Sequence, residues 1–182
     1  MVTSKDCAPE ARAAPPPALS NALRLLVIGS MAFVAGCQGD IPGIQNGDPA
    51  PVFALPLLQG GTVAFPADLR GQVVALRFWA DWCPFCEKEM KDIEPLHRKY
   101  RERGLRILAV NVRQDAATAG RFVDRLGISY EVLLDGDGAV ARSYGVAGLP
   151  TTFLVDREGR LVTRILGEST PDLLERVLQG LL

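Results

Sequence analysis

The apolar run Val73-Val74-Ala75-Leu76-Arg77-Phe78-Trp79 leads within a few residues into Trp82-Cys83-Pro84-Phe85-Cys86. A run with almost no polar alternation predicts a strand buried on both faces, at the centre of a sheet that helices cover. Pro84 suits the first helical position, where its missing N–H costs nothing, so a helix is predicted from Pro84 to about Glu102, bent at Pro95. The two cysteines then sit at a strand-to-helix junction. Unpaired N–H groups and a partial positive charge at the helix start favour a thiolate over a thiol at Cys83. Cys86 lies almost one turn later on the same face, placed to attack a mixed disulfide formed at Cys83. Dithiol–disulfide exchange is the chemistry this stretch predicts, with Cys83 the more exposed nucleophile and Cys86 the shielded resolving thiol.

Other uses of a CxxC fit the sequence less well. No second CxxC exists to complete a zinc site. The only histidine, His97, stands among Arg98, Lys99 and Arg101 and reads as a solvated surface residue. A short structural disulfide loop contributes little chain-entropy stabilisation. No metal and no cofactor beyond the redox-active disulfide are expected.

The chain has 182 residues, with 20 Lys/Arg against 21 Asp/Glu. Near-neutral charge with no basic block argues against nucleic-acid binding. Residues 1–36 read as a lipoprotein-type signal peptide. Arg24 precedes the apolar run Leu25 to Ala35, which is too short to span a bilayer. That run ends in Val34-Ala35-Gly36-Cys37, which resembles a bacterial lipobox whose cysteine, Cys37, would carry the lipid. Residues 37–51, rich in Gly, Pro and Asp, are expected to tether a domain spanning 52–182. Localisation in the cell envelope follows, with the domain outside the cytoplasm and anchored to the membrane.

Within that domain, strands and helices alternate. Val52–Leu55 and Thr62–Phe65 are predicted to pair as an N-terminal hairpin across Gln59-Gly60-Gly61. Leu105–Asn111 is a second buried strand, Ala116–Leu126 a helix and Tyr130–Leu134 a short strand, followed by a helical turn over Gly138–Tyr144. Thr151–Val155 and Leu161–Leu166 form a second hairpin. Thr170 caps a last helix that has Pro171 at its first position. The predicted fold class is α/β, a mixed sheet flanked by helices.

Four stretches, in order, carry a family resemblance. They are Gly47-Asp48-Pro49-Ala50-Pro51-Val52-Phe53-Ala54-Leu55-Pro56, Asp68-Leu69-Arg70-Gly71-Gln72-Val73-Val74, Phe78 to Cys86, and Tyr144-Gly145-Val146-Ala147-Gly148-Leu149-Pro150-Thr151-Thr152-Phe153-Leu154-Val155-Asp156. From about Gly47 to Leu182 the chain resembles the TlpA/ResA-type thioredoxin-fold proteins, membrane-tethered thiol–disulfide oxidoreductases of the bacterial cell envelope. The resemblance implies a thioredoxin-like sandwich with a central insertion, here about Gln114 to Leu134. It also implies a cis Leu149–Pro150 bond facing the cysteines, which leaves the Leu149 backbone to pair with a substrate strand. Trp82 is a candidate substrate contact packed beside the dithiol, or else an ordinary core aromatic.

Glu89 occupies the place where ResA-like proteins carry a glutamate that tunes proton transfer at the dithiol. A surface glutamate paired along the helix is the equal alternative. Arg77 departs from the family pattern, which has aspartate or asparagine there. A buried arginine requires an anion, and Glu89 and Asp81 are the candidates. Near the thiols its charge would stabilise thiolate and raise the reduction potential.

The function these features predict is a membrane-anchored thiol–disulfide oxidoreductase acting as a reductant. Its electrons would come from a membrane thiol carrier of the DsbD/CcdA type and pass to an exported disulfide-containing protein, such as apocytochrome c in cytochrome c biogenesis. The Pro-Phe pair lacks the histidine of strongly oxidising Cys-Pro-His-Cys sites. Two other functions compete. A peroxiredoxin-like peroxidase needs a threonine where Ala80 stands. A copper-binding envelope chaperone typically uses CxxxC with a distal histidine.

Overall fold

All seven residues of Val73–Trp79 (β3) are buried, and this strand is the middle of a five-stranded sheet in the computed structural model, which describes residues 43–182. Leu105–Val112 (β4) and Glu131–Asp135 (β5) extend the sheet on one side as parallel strands. Thr151–Val155 (β6) and Leu161–Leu166 (β7) extend it antiparallel on the other. Parallel neighbours need crossovers. Cys86–Tyr100 (α1) supplies the first and Ala116–Val123 (α2) the second. Phe53–Pro56 (β1) and Thr62–Phe65 (β2) form a separate antiparallel hairpin. Ala139–Ser143 (α3) and Pro171–Gln179 (α4) complete the elements.

Because strand side chains alternate, β3 feeds two cores at once. Val73, Ala75 and Trp79 meet Met90 and Ile93 of α1, Phe122 of α2, and Leu174 and Leu178 of α4. Val74, Leu76 and Phe78 meet Val63 and Phe65 of the hairpin, Tyr144 and Phe153. Each large apolar side chain removed from water contributes about 1.5–3 kcal/mol. Two full layers on one strand therefore account for its lack of polar residues, Arg77 apart.

The expected insertion is part of the sheet. It supplies α2 and all of β5 but its last residue. Leu58 N–H donates to Val132 C=O at 2.8 Å, fastening the end of the hairpin to that edge strand. Helix α1 begins two residues later than predicted. The Cys86 N–H bonds the Cys83 carbonyl three residues back, at 3.2 Å, so Pro84 and Phe85 belong to a turn. The helix runs unbroken through Pro95 to Tyr100 and then tightens into a 3₁₀ turn over Arg101–Arg103, ended by Gly104 at φ 96°.

His97 corrects the sequence expectation, because it is buried rather than solvated. The loop before β5 folds over it, with the Tyr130 ring edge-on at 5.7 Å, and burial lowers the imidazole pKa. Glu94 ties that loop to α1. One of its oxygens accepts from Ser129 Oγ at 2.7 Å and Arg98 Nε at 2.6 Å, the other from Ser129 N–H at 2.8 Å. Burial pushes the carboxyl up, but the bonds from Ser129 and Arg98 outweigh it and hold the pKa below its ordinary 4.5. A depressed carboxyl stabilises the fold above its unfolded pKa and loses that contribution as pH falls through the folded value. Glu94→Gln is therefore expected to lower stability at pH 7 by about 1.5–3 kcal/mol, the range for hydrogen bonds to a charged group. Urea midpoints measured from pH 7 to pH 3 should show the gap between the two proteins closing in acid. A gap independent of pH would assign the loss to packing.

Candidate active site

Four residues past Trp79, the last position of β3, the chain reaches Cys83. Gln114, half-buried just after β4, fixes this approach. Its side-chain oxygen accepts from Asp81 N–H at 3.0 Å and from Asn111 Nδ2 at 2.8 Å, and its Nε2 donates to Asp81 Oδ1 at 2.5 Å. Cys83 N–H closes the turn onto Ala80 C=O at 3.2 Å. Cys83 and Cys86 are joined by a disulfide with Cα atoms 5.4 Å apart. No side chain caps the start of α1, so its first N–H groups and their partial positive charge are left beside the cysteines.

Both cysteines are nearly closed off. Cys83 keeps 3% of its surface and Cys86 none. The sequence expectation of an exposed Cys83 is thus corrected to a narrow margin in its favour. Trp82 is not a core aromatic and does not seal the dithiol. It is 68% exposed, and Phe85 is also exposed. Two aromatic rings thus stand in water around the sulfur pair, an exposed apolar rim.

Opposite the cysteines lies the segment before β6. Phe78 pairs with Thr151 in the sheet, which puts Pro150 beside the end of β3 where the cysteine loop departs. The Leu149–Pro150 bond is cis. Thr151 Oγ1 donates to Gly148 C=O at 2.7 Å, and Gly167 N–H donates to Pro150 C=O at 2.9 Å. Leu149 packs against the cluster that contains Cys83 and Cys86. Among the described residues its own backbone N–H and C=O have no backbone partner.

Beneath the dithiol, Arg77 and Glu89 form a buried ion pair through Nη2 and Oε2, both residues almost fully enclosed. Asp81, the other candidate anion, is held by Gln114 instead. Arg77 Nη1 donates to Thr152 Oγ1 at 3.0 Å and Ser169 Oγ at 3.2 Å, while Glu89 Oε1 accepts from Ser169 N–H at 2.5 Å. Burial pulls the Arg77 pKa down to about 10, which leaves it charged at neutral pH. Glu89 is therefore no surface residue: one of its oxygens faces Arg77 and the other accepts from Ser169 N–H. Ser169 and Gln114 lie outside every motif stretch, and Thr152 lies inside one with no role assigned to it. The one pointer to any of them is Arg77, whose place in a buried strand demands a polar cage.

No group of three His, Cys, Asp or Glu side chains that could hold a metal occurs among the described residues. None of the described helices is long and apolar enough to cross a membrane. Cys37 and the segment read as a signal peptide lie outside the described residues, as do the first six residues of the tether.

A buried central strand delivering a CxxC disulfide to a helix start, opposite a cis-proline segment, defines a thioredoxin-fold thiol–disulfide oxidoreductase. Residues 45–181 match the Redoxin family, and the chain belongs to it. It is 36% identical over 157 residues to the thiol-disulfide oxidoreductase ResA of Bacillus thuringiensis (strain Al Hakam), covering 85% of this chain and 90% of that protein. It is 37% identical over 161 residues to ResA of Halalkalibacterium halodurans, covering 86% and 91%. Among solved structures, a Chlorobium tepidum protein assigned as the thiol:disulfide interchange protein DsbE superposes with a TM-score of 0.71 at 34% identity. The match covers 76% of this chain and 99% of that one.

Proposed function

We propose that this chain is a lipid-anchored reductant of disulfides in exported proteins, apocytochrome c among them. The observation that carries the reading is the unpaired Leu149 backbone beside a dithiol rimmed by Trp82 and Phe85, a surface suited to an extended polypeptide. In the reduced protein the Cys83 thiolate, favoured by the helix N-terminus, attacks one sulfur of the substrate disulfide. That S–S bond breaks, a mixed disulfide forms, and the leaving sulfur takes a proton. Cys86, as thiolate, then attacks the Cys83 sulfur and releases the second substrate thiol. Two electrons and two protons have passed to the substrate, and Cys83–Cys86 is closed. A membrane dithiol carrier of the DsbD/CcdA type reopens it. Glu89, held by Arg77 and Ser169, acts as part of a fixed ion pair that positions α1 beneath the thiols.

The competing readings draw less support. Ala80 stands where a peroxidase needs threonine. His97 is buried under Tyr130, eleven residues beyond Cys86, about 16 Å along α1. The direct test offers the reduced protein an oxidised Cys-x-x-Cys-His peptide and, separately, hydrogen peroxide. Faster oxidation by the peptide is expected. Faster oxidation by peroxide would replace the reductase with a peroxidase.

Membrane attachment has its own test. Cys37→Ser is expected to release the protein from the membrane fraction with its exchange activity intact. Retention in membranes that only detergent dissolves would point to an uncleaved anchor in place of a lipid.

A further inference from the structure

A surface cleft of about 370 Å³ opens next to Trp82 and Leu149 and is lined also by Arg113, Arg142 and Val146. The two arginines are not ordinary surface charges. Arg113 is the one non-glycine residue among those described with a positive φ, 57°, a conformation that costs an L-residue roughly 1–2 kcal/mol. Its side chain lies across Gly138, where a Cβ would stand 2.7 Å from Arg113 Nε. A side chain at position 138, already disfavoured by its φ of 72°, would push Arg113 aside. Neither arginine has a carboxylate within ion-pair distance among the described residues. Arg142 Nη1 donates only to the Asp137 carbonyl, at 2.8 Å. The nearby acids are engaged elsewhere. Asp135 accepts from Val140 and Ala141 N–H, Asp137 from Ala139 N–H, and Asp81 from Gln114.

We propose that this cleft is a specificity subsite for the substrate polypeptide, reading an aspartate or glutamate close to the disulfide cysteine. The inference rests on the reading above, that protein disulfides are the substrates. A strand laid along the free Leu149 backbone sends alternate side chains toward the cleft. Trp82, Leu149 and Val146 cover the aliphatic part of such a side chain, and Arg113 and Arg142 take its carboxylate. Guanidinium forks suit a carboxylate better than any other common side chain. The occupant is thus an acidic segment of the substrate protein.

The test uses disulfide peptides of one sequence carrying Glu, Gln or Lys in turn at each position within four residues of the reactive cysteine. Wild-type protein is expected to prefer Glu over Gln at one position by about tenfold in kcat/KM at low salt, the ratio that 1.4 kcal/mol supplies. That preference should shrink as salt rises. In Arg142→Gln the Glu/Gln ratio should fall below about twofold, and in Arg142→Glu the Lys peptide should become the better substrate. Each ratio is taken within one variant, so it does not depend on how much protein is active. No preference at any position, or a preference that survives in Arg142→Gln and Arg113→Gln alike, overturns the subsite. Failure of wild-type protein to exchange with hydroxyethyl disulfide, which carries no charge, would strike instead at the thiol–disulfide reading beneath it.

Discussion

Arg77→Asn is expected to destabilise the protein by about 3–5 kcal/mol, the cost of removing one partner from a buried ion pair. Glu89 would remain enclosed with its charge uncompensated, and Thr152 and Ser169 would lose the donor they both accept from. For a domain of this size the fall in Tm is on the order of 10 °C. Adding Glu89→Gln to Arg77→Asn should recover more than half of the loss, because the stranded charge is then gone. Urea unfolding of the two single variants and the double variant gives the coupling directly. The same set separates folding from redox tuning. Arg77 alone would stabilise thiolate and raise the potential, but Glu89 cancels most of its field. The double variant should therefore stay within about 30 mV of wild type in equilibrium with glutathione, 30 mV being about 1.4 kcal/mol for two electrons. A larger shift would show that the pair tunes the thiols as well as holding the helix.

The second large effect separates the cysteines. Cys83→Ser is expected to reduce disulfide exchange to the background rate of the buffer thiols, because no sulfur then remains to make the first attack. Cys86→Ala should keep that attack and stall, accumulating one equivalent of substrate as a mixed disulfide on Cys83. The exposure margin between the two residues is only 3% against none, so the order of attack depends chiefly on the field at the start of α1. Alkylation rates across pH on the two single-cysteine variants measure this. Faster labelling of the variant that retains only Cys86 would exchange the two roles.

Much of the frame was legible in the chain, for local reasons. Thr62–Phe65, Val73–Trp79, Thr151–Val155 and Leu161–Leu166 fall where the apolar pattern and turn residues put them. Thr170 caps α4 as expected, its hydroxyl accepting from Leu173 N–H at 3.2 Å. Each of these is decided within a few residues by periodicity, a cap or a turn. The start of α1 was misplaced because the competition between two turn geometries at Pro84 and Phe85 is settled by the Cys86 N–H, not by proline's preference for a first helical position.

His97 and Trp82 show what sequence neighbours leave open. Basic neighbours make His97 look solvated, and Trp82 reads equally as a substrate contact or a core aromatic, but burial depends on what the rest of the chain lays over a side chain. The loop at Ser129 and Tyr130 covers the first, and nothing covers the second. The sequence by itself determined the central strand, the CxxC at its end and hence the exchange chemistry, because these depend on contiguous residues and intrinsic reactivity. It also required that Arg77 find an anion. Only the tertiary structure decided which one, and that the cage would be completed by Thr152 and Ser169, 75 and 92 residues further along. It alone brought Arg113 across Gly138 into a cleft shared with Trp82 and Leu149. Partners so distant in the chain leave no spacing to read, since their proximity is set by how the layers pack.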